Sequence, residues 1–282
     1  MIAVTGATGH LGRKIVDELL VRVDVGEIVA VARSPEKASS LASTGVGVRR
    51  GDYEDVDSLV AAFEDVDTLM FISNSDIARR AEQHQNVIDA AQRARVGRVV
   101  YTSFASIEDD NILAASHRAT EKALKDSGLA HTILRDNYYM DMYVVEVEIA
   151  MKTGSYRSPS GEAGAAFVGR SDIARAAAVV LTGEVHSGKV YEMTGPAVVK
   201  PVDFAAVAVE LSGELVVYQP ISWEELAEDY RRRGMAEDVV NMSIMLEKVI
   251  ASNVLAEVSD DIRLLTGQQP ESLLSLARKI LA

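Results

Sequence analysis

Cysteine is absent from the 282 residues of the chain, which excludes disulfides, thiolate nucleophiles and thiolate metal sites. Long apolar runs are absent too: none approaches the ~18 residues that a membrane span requires. An apolar strand pattern begins at Ile2 and leaves no room for a signal peptide, so the expected compartment is the cytoplasm. Positive charge is scarce. Against 42 acidic residues stand 29 lysines and arginines, a formal net charge of −13, which argues against nucleic acid and anionic membrane surfaces as partners. The one compact basic run, Arg231-Arg232-Arg233, follows Glu224, Glu225, Glu228 and Asp229 and reads as a charge-compensated helix end. No Gly-Lys-Ser/Thr occurs, so the phosphate loop of nucleotide triphosphatases is excluded. The histidines at positions 10, 84, 117, 131 and 186 follow no metal-ligand spacing, the acidic residues follow no calcium-loop pattern, and no metal is expected.

What remains is a globular composition, 48% hydrophobic and 25% charged, organised around residues 1–33. Ile2-Ala3-Val4 is a short strand pattern. Gly6-Ala7-Thr8-Gly9-His10-Leu11-Gly12 then leads into Ile15, Val16, Leu19 and Leu20, apolar at helical spacing. Glycines in this arrangement permit a tight reversal, a backbone that approaches a pyrophosphate without a Cβ in the way, and close packing of helix on strand, while free helix N–H groups face the anion. The next buried-strand pattern, residues 27–32, ends at Arg33. A dinucleotide site for NAD carries Asp or Glu at that tip, whereas arginine suits a ribose 2′-phosphate, so the expected cofactor is NADP(H). Arg33 as a merely solvated strand-end cation is the plainer alternative.

Strand and helix signals alternate through the first half: strands near 46–50, 68–72, 98–102 and 131–134, helices near 35–43, 55–64, 76–95 and 112–127. This predicts an α/β protein, a Rossmann-type doubly wound parallel sheet, with a smaller α/β C-terminal substrate lobe. The expected division is a nucleotide-binding domain over residues 1–150, which also receives residues near 165–195, and a smaller, non-independent lobe over 151–282. Ser171 is expected to cap a helix, and strands are expected at 190–193 and 215–218. Ligands of such sheets bind at the carboxyl ends of the strands. Asp52-Tyr53, Ser73-Asn74, Thr102 and Asp136-Asn137-Tyr138-Tyr139 occupy those ends.

Carbonyl reduction by a tyrosine with a lysine four residues later is testable exhaustively. None of the nine tyrosines has lysine at that position. Taken together, residues 2–9, Val31-Ala32-Arg33, Gly51-Asp52-Tyr53, residues 84–91, Val100-Tyr101-Thr102-Ser103 and Thr132-Ile133-Leu134-Arg135 resemble the NmrA-like branch of the atypical short-chain dehydrogenases. Within it they resemble most the NADPH-dependent quinone oxidoreductases of type 2 and the triphenylmethane reductases. The resemblance implies an NADP(H)-binding Rossmann domain and either hydride transfer to an electron-poor acceptor or, in some members, dinucleotide sensing without catalysis. It implies phosphate contacts from Gly6, Thr8, Gly9, His10, Leu11 and Gly12, a 2′-phosphate partner in Arg33, adenine beside Asp52 and Tyr53, and a nicotinamide side formed by Ser73, Asn74, Thr102 and Asn137. His117 stands where isoflavone-reductase-like relatives carry a catalytic lysine, which favours the quinone and dye reductases.

His117 and Tyr139 are the candidate catalytic residues. His117 either supplies a proton or orients the nicotinamide ribose, or else is a helix-surface histidine bonded to a carboxylate. Tyr138, Tyr139, Met140, Met142 and Tyr143 either line a flat aromatic pocket or pack the lobe. The expected partner is a small aromatic or quinone substrate, and the helical C-terminal third has surface enough for a homodimer. An NADPH-dependent quinone reductase and a non-catalytic NADP(H) sensor are the two functional readings.

Overall fold

The structure, a computed structural model, describes residues 1–282 apart from the side chain at position 112. In chain order the elements are β1 (Ile2–Val4), α1 (His10–Leu20), β2 (Ile28–Ala32), α2 (Ser39–Ala42), β3 (Gly47–Arg50), α3 (Val56–Ala62), β4 (Thr68–Phe71), α4 (Arg80–Arg93), β5 (Arg98–Phe104), α5 (Ile112–Ser127) and β6 (Ala130–Asp136). Then come α6 (Val144–Thr153), β7 (Ser155–Ser158), α7 (Arg170–Thr182), β8 (Val190–Met193), α8 (Pro201–Ser212), β9 (Val217–Pro220), α9 (Trp223–Arg232), α10 (Glu237–Ala251), α11 (Asp261–Thr266) and α12 (Leu273–Leu281).

The chain forms two units, the first made of Met1–Asp136, Arg170–Met193 and Asp261–Gln268. Its sheet has seven parallel strands in the order β3-β2-β1-β4-β5-β6-β8. The inner strands β1, β2, β4 and β5 are buried on both faces, which is why they read as apolar runs rather than alternating ones, while the edge strands β3 and β8 are partly exposed. Ala3, Val29, Val31, Leu69, Phe71, Val99, Tyr101 and Ile133 share one face and pack on Leu59, Phe63, Val87, Ile88, Ala91 and Leu124 of α3, α4, α5 and the turn after α3. Each large side chain buried this way contributes about 2 kcal/mol. The alternate set, including Val4, Ala30, Met70 and Val100, is equally inaccessible, and α1 packs against α7. The strand order reverses direction between β1 and β4, and sheets of this kind bind ligands at the strand carboxyl ends beside such a switch point.

The second unit comprises Asn137–Gly169, Thr194–Asp260 and Gln269–Ala282. Parallel strands β7 and β9 form a two-stranded sheet, with α6 and α8 packed against β7. Tyr143 meets Phe167 at 4.5 Å between ring centroids, and Tyr156 stacks on Phe204 at 4.8 Å.

Several expected boundaries move. The helix expected over 35–43 is a 3₁₀ turn (Pro35–Ala38) followed by the short α2, and the helix expected from 76 begins at Arg80. Ser171 is not a cap, because α7 begins one residue earlier; its hydroxyl instead accepts from Lys14 Nζ at 3.1 Å. The strand at 190–193 forms as expected and is the seventh strand of the main sheet, while that expected at 215–218 lies at 217–220. Strand β7, polar and four residues long, carried no periodic signal.

Candidate functional site

The turn after β1 is built for close approach. Gly6 has φ +59°, a left-handed conformation that glycine adopts without strain, and a Cβ on Gly12 would lie 2.3 Å from the Gly6 carbonyl oxygen. Any side chain at position 12 would push α1 off the turn. No side chain caps α1 and its first turn holds no acidic residue, so its N-terminal dipole meets no protein anion there; Thr8, Gly9 and His10 are exposed, while Leu11 is buried beneath them. Arg33, one residue past β2, is exposed and makes no ion pair with any described residue.

Tyr53 ties the switch point together. Its hydroxyl lies 2.6 Å from Thr5 Oγ1 and 2.7 Å from the Ile72 carbonyl oxygen, bridging the residues that follow β1 and β4, and burial pushes its pKa up. Asp52 accepts from the Glu54 amide at 3.1 Å and so shapes the turn before α3. Beside them the Ser73 amide donates to Thr102 Oγ1 at 2.8 Å, joining the ends of β4 and β5. The Asn74 carbonyl accepts from Arg80 Nη2 at 2.8 Å, and its side-chain amide donates to Gln83. Gly6, Tyr53, Ser73, Asn74 and Thr102 thus meet at one end of the sheet.

His117 is inside rather than on the helix surface. It lies on the inner face of α5 with Ala114, Thr120 and Leu124, a face set by the spacing of those residues and by the Asn111 side chain, which accepts from the Leu113 and Ala114 amides. His117 is only 5% exposed, its Nδ1 lies 2.7 Å from the Tyr101 hydroxyl, and its ring stacks on Phe104 at 6.0 Å. No carboxylate bonds to its ring among the described residues. Burial, then the Arg80 charge, holds its pKa well below the usual histidine range. His84 on α4, fully buried, has its Nδ1 2.9 Å from Thr120 Oγ1, and burial pushes its pKa down to about 3. Both imidazoles are therefore neutral at physiological pH. Burial raises the Tyr101 hydroxyl pKa, so it stays protonated.

Sequence reasoning alone does not bring His84, Tyr101 and Arg80 to this site. Their signal was available: His84 shares the i, i+3, i+4, i+7 face of Val87, Ile88 and Ala91, and Tyr101 lies inside an apolar strand, so each polar group had to find a buried partner.

Two expected site residues belong to the second unit. Asn137 is buried with both ends of its amide engaged: Nδ2 donates to the Leu255 carbonyl at 3.0 Å and Oδ1 accepts from the Tyr138 amide at 2.8 Å. Tyr139 is half-buried and its backbone bridges to Val168. Of the neighbouring cluster, Met140 is buried, Met142 is 55% exposed, and Tyr143 packs on Phe167. Among the described residues no group of His, Asp and Glu is arranged to hold a metal ion, and no helix is long and apolar enough to cross a membrane.

A family model described as NAD(P)H-binding matches residues 6–184, well over half of the chain. The chain belongs to the NAD(P)H-binding family. Quinone oxidoreductase 2 of Escherichia coli is 38% identical over 243 residues, 86% of this chain and 85% of that protein. The crystal structure of the E. coli NADPH-dependent quinone oxidoreductase complexed with NADPH superposes with a TM-score of 0.95 at 34% identity and covers 100% of both chains. The triphenylmethane reductase of Citrobacter sp. complexed with NADP(H) does so with a TM-score of 0.95 at 35% identity, over 99% of both chains.

The residues present fit the cofactor of the NAD(P)H-binding family. The uncapped α1 terminus leaves amides free for a pyrophosphate, Gly6 takes a left-handed backbone, Gly12 leaves no room for a Cβ, and Arg33 is an exposed, unpaired cation of the kind that suits a phosphate.

Proposed function

We propose that the chain is an NADPH-dependent oxidoreductase that reduces quinones or similar conjugated electrophilic acceptors. The full-length similarity to the E. coli quinone oxidoreductase carries this reading, and it favours catalysis over a non-catalytic sensor. Arg33 gives the preference for NADPH over NADH, since arginine matches a phosphate and an unphosphorylated ribose leaves it without a partner.

Thr8, Gly9, His10, Leu11 and Gly12 hold the pyrophosphate, with Gly6 turning the chain beneath it; Asp52 and Tyr53 border the adenine; Ser73, Asn74 and Thr102 shape the nicotinamide side. NADPH supplies the hydride. The protein's share is to hold a flat acceptor against the donor, exclude water and offer polar hydrogens to the oxygen that becomes negative. His117 is the group of the first unit for that task. No titrating lysine is required, because a quinone is already electrophilic. The substrate is a small aromatic molecule, the compartment is the cytoplasm, and the exposed Val239 and Met242 on α10 suit a homodimer contact.

The decisive measurement is NADPH consumption by the purified protein with benzoquinones, naphthoquinones and triphenylmethane dyes, with NADH in parallel. Turnover with NADPH at least about tenfold faster than with NADH supports the reading. Tight NADPH binding without turnover of any acceptor would return the sensor.

A further inference from the structure

The buried polar groups between α4, β5 and α5 form one hydrogen-bonded chain whose donors can be assigned. The Asn74 amide donates to His84 Nε2 at 3.4 Å, so that nitrogen is bare and the neutral ring carries its hydrogen on Nδ1. That hydrogen goes to Thr120 Oγ1 at 2.9 Å, while the Thr120 hydroxyl donates to the Ser116 carbonyl at 3.1 Å. The Tyr101 oxygen lies 3.5 Å from the same His84 Nδ1–H and cannot donate towards it. Thr120 Oγ1, the other oxygen beside it, already accepts from His84, so the Tyr101 hydrogen is assigned to the short contact with His117 Nδ1 at 2.7 Å. A neutral imidazole that accepts at Nδ1 keeps its hydrogen on Nε2. His117 Nε2 has no partner among the described residues and is not counted among the sealed, unsatisfied polar atoms.

We propose that Tyr101 is a positioning residue: through this chain it holds His117 as the neutral Nε2–H tautomer, a fixed hydrogen-bond donor to the acceptor's oxygen rather than a titrating acid. The assignment rests on the reductase reading. Hydride arrival pushes a π pair onto a carbonyl oxygen of the quinone, the His117 Nε2–H bonds to that anion without releasing its hydrogen, and solvent supplies the proton that completes the hydroquinone as NADPH is oxidised to NADP+. The charged or titratable groups around the pair are Arg80, His84, Glu121 and Tyr53, and burial keeps Tyr53, like Tyr101, protonated. Arg80 on α4 donates to Ser116 Oγ at 3.0 Å and keeps a positive charge beside both rings, His84 is neutral, and the Glu121 carboxylate on α5 is held by Arg135 at 3.0 Å and by the Ser103 hydroxyl at 2.6 Å. A second positive charge on His117 has no stabilising partner in this set.

The test is long-range proton–nitrogen correlation NMR of the 15N-histidine-labelled full chain saturated with NADP+, from about pH 5.5 to 8, alongside the pH profile of kcat. Expected are a single His117 Nε2–H tautomer throughout and no inflection of kcat near the free-histidine pKa of about 6.5. The variant Tyr101→Phe keeps the packing and removes the donor. It should mix the His117 tautomers and lower kcat about tenfold with NADPH affinity unchanged, and His117→Leu should lower kcat about a hundredfold. A bare Nε2, titration of His117 within that range, or unaltered tautomer and kcat in Tyr101→Phe would each overturn the inference in a protein that turns over. The wild-type spectrum decides the tautomer even if the variant fails to fold. Absence of wild-type turnover with every acceptor would instead overturn the functional reading, and with it any catalytic use of this donor.

Discussion

Arg33 and Gly12 act through opposite kinds of chemistry. Arg33 is exposed and contributes nothing visible to the fold, so Arg33→Asp should leave the melting temperature within a degree or two while weakening NADPH binding about a hundredfold or more, through loss of a charge-assisted pair and added repulsion. Calorimetric titration with NADPH and NADH reads this directly, and equal affinities in the variant and the wild type would sink the cofactor argument. Gly12 is buried, and its missing Cβ is the space occupied by the Gly6 carbonyl. Gly12→Ala should cost about 1–3 kcal/mol in urea unfolding and weaken NADPH binding as well, because the turn that must yield is the one that carries the phosphate amides. Both proposals are read from the bare residue order, because they depend on local geometry. The role of His117 was not: whether a histidine on an amphipathic helix faces solvent or Tyr101 depends on a strand that precedes it in the chain and packs against it in space.

Helices α4 and α5 with strand β5 behave as one polar-cored element. In the unfolded chain His84 titrates at about 6.5, while in the folded protein burial moves it to about 3 and moves His117 in the same direction. Between those values the unfolded chain binds more protons, so stability rises with pH across the window and is lost as pH falls from about 6.5 towards 3. Hydrogen exchange corrected for intrinsic rates should therefore show α4 and α5 opening more often at pH 5 than at pH 7, and His84→Gln should flatten that dependence. The element boundaries that sequence reading misplaced are of one kind. Strand β7 exists because Ser155–Ser158 pairs with Val217–Pro220, a partner far along the chain, and four polar residues carry no period that announces it. Ser171 has the right chemistry for a cap, yet Lys14 on the neighbouring α1 takes its hydroxyl. Local propensity yields to tertiary contact in both places.

Across the whole molecule, buried titrating groups in the two units shift in senses that should make acid act on them oppositely. In the second unit, burial beside Glu146 pushes the Glu247 carboxyl up to about 7 from 4.5. There the folded state binds the extra proton, so its contribution is complete below about pH 4.5 and is lost as pH rises through 7. The single tryptophan, Trp223, sits on α9 in that unit and packs in the Leu226, Tyr230 and Val240 cluster, which makes its fluorescence a selective reporter. Its unfolding midpoint should fall between pH 5 and pH 7.5, and Glu247→Gln should remove most of the change; an unaltered slope in that variant would show that another group titrates. What residue order alone decided is whatever repeats at short range: a Rossmann-type sheet from alternating strand and helix signals, a tight turn from three glycines, and an arginine one residue past the second strand. What folding decided is which polar groups lose their water. Glycine spacing and apolar periodicity act over a few residues and survive in a linear reading, whereas the neutrality of His117, the commitment of Asn137 and the shifted carboxyl of Glu247 arise from desolvation by residues distant in the chain.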